Sequence, residues 1–384
     1  RTLKLYKFVS SKYFTMGEYL KNTRKIILLL LLLIPQVNIS YSSDPLPSSE
    51  KETHDEKESK LDPGELIIDH LVDHHSWHII TIGETDISIP LPVILYSKDR
   101  GFFCFMSSKF NHGHDAYKNF KIAQEGENEG EIVELTEEGA IKEELPLDFS
   151  ITKIVAAIFF SIILIAFLFI RVARLYTQRP NKPPKGLQSF LEPLILFVRN
   201  DLARENIGEE HYERFAPFLL TLFFFILINN LLGLIPIFPA GANVTGNITV
   251  TMALALFTFI MVSVSGNKHY WREIFNPPDI PIWLKIPIPL IPVIEFVGIF
   301  IKPFVLMVRL FANISAGHIV MLGFVSLIFI FGNMNEYAGY GVSVFSVIFT
   351  IFLTILELLV AFIQAYVFTM LSAIYFNMAI GEGH

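Results

Sequence analysis

Glu295-Phe-Val-Gly-Ile-Phe-Ile-Lys302-Pro-Phe-Val-Leu-Met-Val-Arg309-Leu-Phe-Ala-Asn313-Ile-Ser-Ala-Gly-His318 places an arginine deep inside apolar sequence that begins near Pro287 and continues almost unbroken to Phe331. A helix needs about 20 residues to cross a bilayer, so Arg309 has long apolar flanks on both sides. Its guanidinium cannot shed its proton, because its pKa stays above ~12. A permanent cation at that depth costs roughly 2.5–3.5 kcal/mol on insertion scales, and such positions are functional by default.

The spacing refines this. At about 100° per residue, residues seven apart share one stripe of a helix, so Glu295, Lys302 and Arg309 line up. Asn313, four beyond the arginine, lies about 40° round from it, and His318 about 180° away if the helix stays regular. A fixed positive charge therefore occupies one face while a titratable imidazole points elsewhere.

Composition agrees with a membrane protein. The 384 residues are 52% hydrophobic and 14% aromatic, with 36 Phe. Long Leu/Ile/Phe runs of this kind mark a polytopic chain rather than a soluble one with a large core. The net charge of −7 is unevenly spread, because the acids crowd the first 150 residues. The lone Cys104 excludes an internal disulfide framework and a cysteine metal site. No Gly-rich phosphate loop, Ser-His-Asp or Cys-His arrangement, or internal repeat stands out.

Met16 is followed by Lys21, Arg24 and Lys25, then the apolar run Ile26–Ile34, then Ser40-Tyr-Ser42. A basic region, a short apolar core and small residues read as a cleavable secretory signal, with residues 1–15 an upstream extension and cleavage near Ser42. Residues 43–62 are polar and charged, the composition of disorder. The stretch to residue 150 forms a small region outside the membrane. In it, Asp69, His70, Asp73, His74, His75 and His78 allow either a metal site or a solvated amphipathic turn, and the turn is the preferred reading. Ile87–Tyr96 reads as strand broken by prolines, and the acidic stretch 124–146 as loop with a short helix.

Five spans are expected, at about 154–171, 215–236, 248–266, 288–331 and 342–376. Arg171, Arg174, Arg179, Lys182 and Lys185 follow the first at once, which puts that loop in the cytoplasm and the N-terminal region outside. Residues 186–204 are amphipathic and read as a helix on the cytoplasmic surface. Asn229 and Asn230 in the second span are amides expected to bond across helices. The last two runs would be about 67 and 52 Å long as helices. They exceed a ~30 Å core and must tilt, kink or fold back; Gly332–Gly341 between them makes a hairpin turn. The last run carries Glu357 and Gln364, seven apart on one stripe. The fold class is thus an all-α polytopic membrane protein: five spans, a surface helix, a long tilted hairpin and a small extracytoplasmic N-terminal region.

With Arg309-Leu-Phe-Ala-Asn313-Ile-Ser-Ala-Gly-His318, Glu295, Lys302 and Pro303 before it, and Glu357 and Gln364 after it, the chain resembles subunit a of the F-type rotary ATP synthase over roughly residues 150–380. The surface helix and the Asn-Leu-Leu-Gly-Leu-Ile-Pro236 end of the second span belong to the same likeness. The resemblance implies a non-catalytic, proton-translocating stator subunit in a bacterial cytoplasmic membrane. Arg309 would face the carboxylates of the c-ring, with Asn313 and Gln364 as its polar neighbours. Glu357 and His318 would line a half-channel open to the outside and Glu295 one open to the cytoplasm, with Lys302 and Asn230 auxiliary. The acid and imidazole stand exchanged relative to many bacterial members, and Ala312 replaces a frequent Gly. The implied partners are the c-ring subunits, subunit b of the peripheral stalk, the remaining ATP synthase subunits, the lipid bilayer and protons. No cofactor, metal or nucleic acid is implied. The N-terminal region is not a general feature of that family.

Two other classes fit part of the pattern. A secondary transporter also holds charges at mid-membrane, but usually in paired or broken-helix repeats. A membrane-anchored scaffold would account for residues 43–150 but not for Arg309 with Glu295, Lys302, His318 and Glu357.

Overall fold

The computed structural model describes residues 73–275 and 290–381 apart from positions 74, 83–84, 114, 124–127, 129, 137–138, 143, 179–182 and 236–239. The signal, the acidic linker, Asp69, His70 and His74 lie outside the described residues. A small β region comes first, with β1 (Ser76–Ile82), β2 (Thr85–Pro90), β3 (Pro92–Ser97), β4 (Gly101–Met106), β5 (Phe120–Ile122), β6 (Ile132–Glu134) and β7 (Leu147–Asp148). They pair as β1–β2, β4–β3–β7 and β5–β6, all antiparallel. Alternation in β3 turns Val93 and Leu95 inward, where they meet Phe110, Phe120 and Ile132. Arg100 and Lys142 both clasp the buried Glu134 at 3.0 Å. Burial alone would raise this carboxyl, but Lys142, Ser97 and Arg100 hold it below the usual carboxylate range.

Two expectations change here. The acidic stretch 124–146 contributes strand β6 and turns, with no helix among its described residues: Ile132 and Val133 gain burial by pairing with β5, and helix propensity does not outweigh that. Asp73 and His75 do not sit in a solvated turn. The Asp73 carboxylate accepts a 3.0 Å bond from the Ile154 amide, and His75 Nε2 lies 3.0 Å from Asp148 Oδ2. The first bond fastens the chain before β1 to the start of the first long helix, and the second ties it to β7.

The rest is helical: α1 (Lys153–Gln178), α2 (Leu187–Phe197), α3 (Tyr212–Gly233), α4 (Ile248–Ser265), α5 (Lys268–Phe275), α6 (Leu290–Met334) and α7 (Glu336–Ile380). Five of them, α1, α3, α4, α6 and α7, are long and apolar enough to cross a membrane. The protein is a multi-pass membrane protein. α1 runs beyond the apolar segment through Arg171 and Arg174, since arginine is a good helix former and needs only to reach water. Phe159, Ile163, Phe167 and Ile170 face outward from it, a stripe at helical spacing suited to lipid. Asn247 caps α4 by accepting from the amides of Thr249 and Val250, a contact worth about 1 kcal/mol.

α2 is not one regular surface helix. It passes into a π-helical segment, Val198–Arg204, and a last turn, Glu205–Ile207. Leu191, Val198, Leu202, Ala203 and Ile207 are buried in the main core, so this element is pressed against the bundle by a continuous apolar edge. That core is built mainly on α3. Phe215 and Phe218 of α3 pack on Phe376 of α7, with the Phe215 ring stacked at 4.4 Å.

The α6–α7 hairpin is longer than its apolar content indicates. Both helices have 45 residues, and the expected turn over 332–341 shrinks to Asn335. Its side chain caps α7 by accepting from the Tyr337 amide at 2.9 Å. A Cβ on Gly339 would stand 2.8 Å from the Gly332 Cα, so the two glycines let the helices close directly, leaving no need for a loop. A helix of about 67 Å cannot stand upright in a ~30 Å core and must lean. Asn267, after α4, bonds the carbonyls of Ala379, Ile380 and Gly381. This places the end of α7 opposite the β region.

Candidate functional site

The hairpin sets the level of each polar residue. Toward one end, the Lys302 ammonium lies 5.6 Å from the centre of the Tyr375 ring and 3.8 Å from the Met378 sulfur. Toward the other, His318 Nδ1 lies 3.2 Å from Glu357 Oε1. Arg309 falls between these contacts along α6. Leu306, Met307, Leu310 and Ile314 are buried on its flanks, so the guanidinium is turned away from the bundle. It is exposed, as are Ala312, Asn313 and Ala316, which form an open stripe along α6. Among the described residues no carboxylate pairs with Arg309.

The His318–Glu357 contact is enclosed, the two side chains being 12% and 6% exposed. Gly317 makes it possible: a Cβ there would meet Glu357 Oε1 at 2.9 Å. The other oxygen, Oε2, is buried without a hydrogen-bond partner. On the same stripe of α7, seven and eleven residues earlier, the hydroxyls of Thr350 and Ser346 are also enclosed without partners. A sequence reading attentive to the stripe through Glu357 would have found them.

A second network flanks the pair. Asn230 of α3 donates to the Ala361 carbonyl at 3.2 Å and accepts from Thr245 Oγ1 at 2.5 Å. Ser315 of α6 donates to the Gly246 carbonyl at 3.1 Å. Asn230 thus bonds across helices as expected for an amide in a span. Asn229 does not: its amide returns to Phe225 in its own helix. Thr245, Ser315 and Gly317 carried no signal of their own in the sequence. The remaining residues lie apart from these. Glu295 is exposed and stands about 21 Å along α6 from Arg309, while His318 stands about 14 Å beyond it. Gln364 is buried.

Comparison with known proteins fits this geometry. The family described as ATP synthase A chain matches residues 155–377, and a family described only as a domain of unknown function matches residues 66–149. The chain is 42% identical over 241 residues to ATP synthase subunit a of Chloroherpeton thalassium, covering 61% of this chain and 68% of the relative. It is 45% identical over 238 residues to ATP synthase subunit a 2 of Chlorobaculum tepidum, covering 60% and 64%. With ATP synthase subunit a of Myxococcus xanthus it shares 42% over 263 residues, covering 65% and 80%. The chain spans about two thirds of the length of the first two relatives. With more than half of its length matched by one family model, the chain belongs to the ATP synthase A chain family.

Proposed function

We propose that this chain is the proton-conducting stator subunit of an F-type ATP synthase membrane sector, coupling proton flow to rotation of a ring of c subunits. It performs no covalent chemistry itself. The observation that carries the reading is the separation of roles along α6: an enclosed imidazole–carboxylate pair at one level, and about 14 Å away an exposed arginine with no carboxylate partner among the described residues. A closed pair suits a proton relay, since each ring nitrogen of an imidazole can either donate or accept a proton. An exposed cation suits contact with an anion supplied by a neighbour.

In this mechanism a proton from outside passes Glu357 and His318 and neutralises a ring carboxylate. Once neutral, the carboxylate faces lipid at tolerable cost. After almost a full turn it meets the cytoplasmic path, to which Glu295 belongs. There the field of Arg309 favours the ionised form, the proton leaves, and the anion passes the guanidinium. The same fixed charge repels a proton leaking straight between the two paths. Each proton crossing 100 mV supplies about 2.3 kcal/mol, so a leak wastes energy that rotation would otherwise capture. Lys302 and Asn313 assist at the flanks, and Gln364 is the polar neighbour of Arg309 on α7.

The partners in this reading are the ring, subunit b of the peripheral stalk, the other ATP synthase subunits and the lipid of a bacterial cytoplasmic membrane. The β region lies outside and the end of α7 in the cytoplasm. Within an 18-residue apolar stretch of each helix, 22% of α6 and 17% of α7 is buried inside the subunit against 67% of α3, which supports a hairpin whose faces are covered by lipid and by another subunit. The test is Arg309→Ala in membrane vesicles, with the amount of assembled complex measured in parallel. Coupled proton transport and ATP synthesis are expected to disappear while the complex assembles. Near wild-type rates would overturn the reading.

A further inference from the structure

The β region is not a separate appendage, because its first hairpin is seated on the loop that borders the His318–Glu357 pair. Trp77 of β1 is buried together with Ile154 and Ala157 of α1 and with Ala242 and Val244 of the segment before α4; Ile89 of β2 packs against the same cluster. Two polar bonds, Asp73 to the Ile154 amide and His75 to Asp148, hold the hairpin in that place.

The loop under the hairpin is in turn stitched to both helices of the pair. Val244 and Ala242 are followed directly by Thr245 and Gly246. Thr245 bonds Asn230, which donates to the carbonyl of Ala361, four residues after Glu357. Gly246 accepts from Ser315, three residues before His318. Buried bonds of this kind leave unsatisfied groups when they break, so displacing the loop would disturb α6 and α7 within one turn of the pair. The remaining titratable groups of α3, α4 and α6 lie at or beyond Arg309, toward the opposite end: Tyr212, Glu213, Arg214, Glu295 and Lys302. The α7 residues Tyr337 and Tyr340 are exposed near the hairpin tip. The polar side chains of α3 and the loop bonded next to the pair's helices are the Asn230 amide and the Thr245 hydroxyl, neither of which carries a charge.

We infer that the β1–β2 hairpin acts as a buttress for the outer proton path. Trp77 is a positioning residue that works through the Ala242–Gly246 loop to fix the spacing and protonation behaviour of His318 and Glu357. This gives the region matched to a domain of unknown function a role in proton access. The inference rests on the proposed function above.

The experiment compares Trp77→Ala, Val244→Ala, Glu357→Gln and Phe102→Ala in the whole complex in vesicles. ATP synthesis per assembled complex is measured against outer pH at fixed inner pH. Phe102 is exposed on the far face of the β3–β4 sheet and serves as the control, with a profile matching wild type. The Trp77 and Val244 variants are expected to move the midpoint of the outer-pH profile by at least about 0.5 unit, that is about threefold in proton concentration, at normal assembly. A merely structural role would change the amount of complex but not the profile. If Glu357→Gln abolishes flow while both buttress variants keep the wild-type profile, the inference fails and the proposed function stands. If Trp77→Ala does not assemble, the loop-side Val244→Ala decides, and an unchanged profile there overturns the inference. If Glu357→Gln leaves flow intact, the proposed function itself has failed.

Discussion

His318 Nδ1 and Glu357 Oε1 meet at 3.2 Å from opposite helices of the hairpin, over a residue that has no side chain. Gly317 is required there by space, not by backbone conformation, since it sits in regular helix. Gly317→Ala would push the Glu357 carboxylate aside, and displacements on the order of 1 Å cost about 100-fold in finely positioned sites. We expect proton-driven ATP synthesis per assembled complex to fall by between about tenfold and 100-fold, with the amount of complex nearly unchanged. Activity within twofold of wild type would show that the pair tolerates other geometries.

Asn230 links three parts of the chain, so its loss should show in stability. Asn230→Leu leaves the Thr245 hydroxyl and the Ala361 carbonyl buried without their partner, at about 1–3 kcal/mol for each unsatisfied group. Thermal denaturation of the detergent-solubilised protein should start several degrees earlier. Adding Thr245→Val should cost less in the Asn230→Leu background than alone, because one of the orphans is then removed. Strict additivity would show that the bond contributes nothing.

The junction between the β region and α1 has two carboxylates with opposite pH signatures. Burial alone would raise Asp148, but His75 and Ser150 outweigh it and hold the carboxyl below its usual range. Its contribution is therefore present above the ordinary carboxylate pKa and is lost as pH falls through the lowered one. Burial raises Asp73 despite its bonds to Thr152 and Ile154. For that group folding favours the protonated form, and stability is lost as pH rises from the ordinary value through the raised one. Limited proteolysis of residues 73–150 across pH measures this. Asp148→Asn should loosen the region at neutral pH and converge on wild type in acid, whereas Asp73→Asn should keep the region docked and flatten its response in the mildly acid range.

The tip of the hairpin offers a test of packing alone. Gly339→Val places a branched side chain where a Cβ already stands 2.8 Å from the Gly332 Cα, and overpacking of this kind costs about 1–3 kcal/mol. Faster amide exchange over 330–340 and a lower denaturation midpoint are expected. Gly323→Ala, which has nothing within 4 Å of the added Cβ, should be neutral or stabilising by up to about 1 kcal/mol through helix propensity.

The amino-acid sequence alone determined that this is a membrane chain with five apolar runs, and that Arg309, His318 and Glu357 are the costly residues within them. Both facts are local: apolar transfer and the expense of burying charge depend on a residue and its near neighbours. Where the helices stop was less legible. Apolarity falls at Gly332, but α6 continues to Met334 because a helix is ended by its caps and bonds, not by polarity. The strand in the acidic stretch 124–146 and the π-helical segment after α2 were hidden for a related reason, since pairing and packing outweigh propensity there.

Tertiary structure alone decided which polar groups meet. Asn230 and the Ala361 carbonyl are 131 residues apart in the chain, and Asp73 finds its amide 81 residues on. Such contacts arise when separate helices and strands are brought together by burial, and no periodicity along the chain records them. The space left by Gly317, the seat of Trp77 on the loop and the outward turn of Arg309 are products of that packing. The sequence names the charges; the packing sets which of them are enclosed and which are left to face a neighbour.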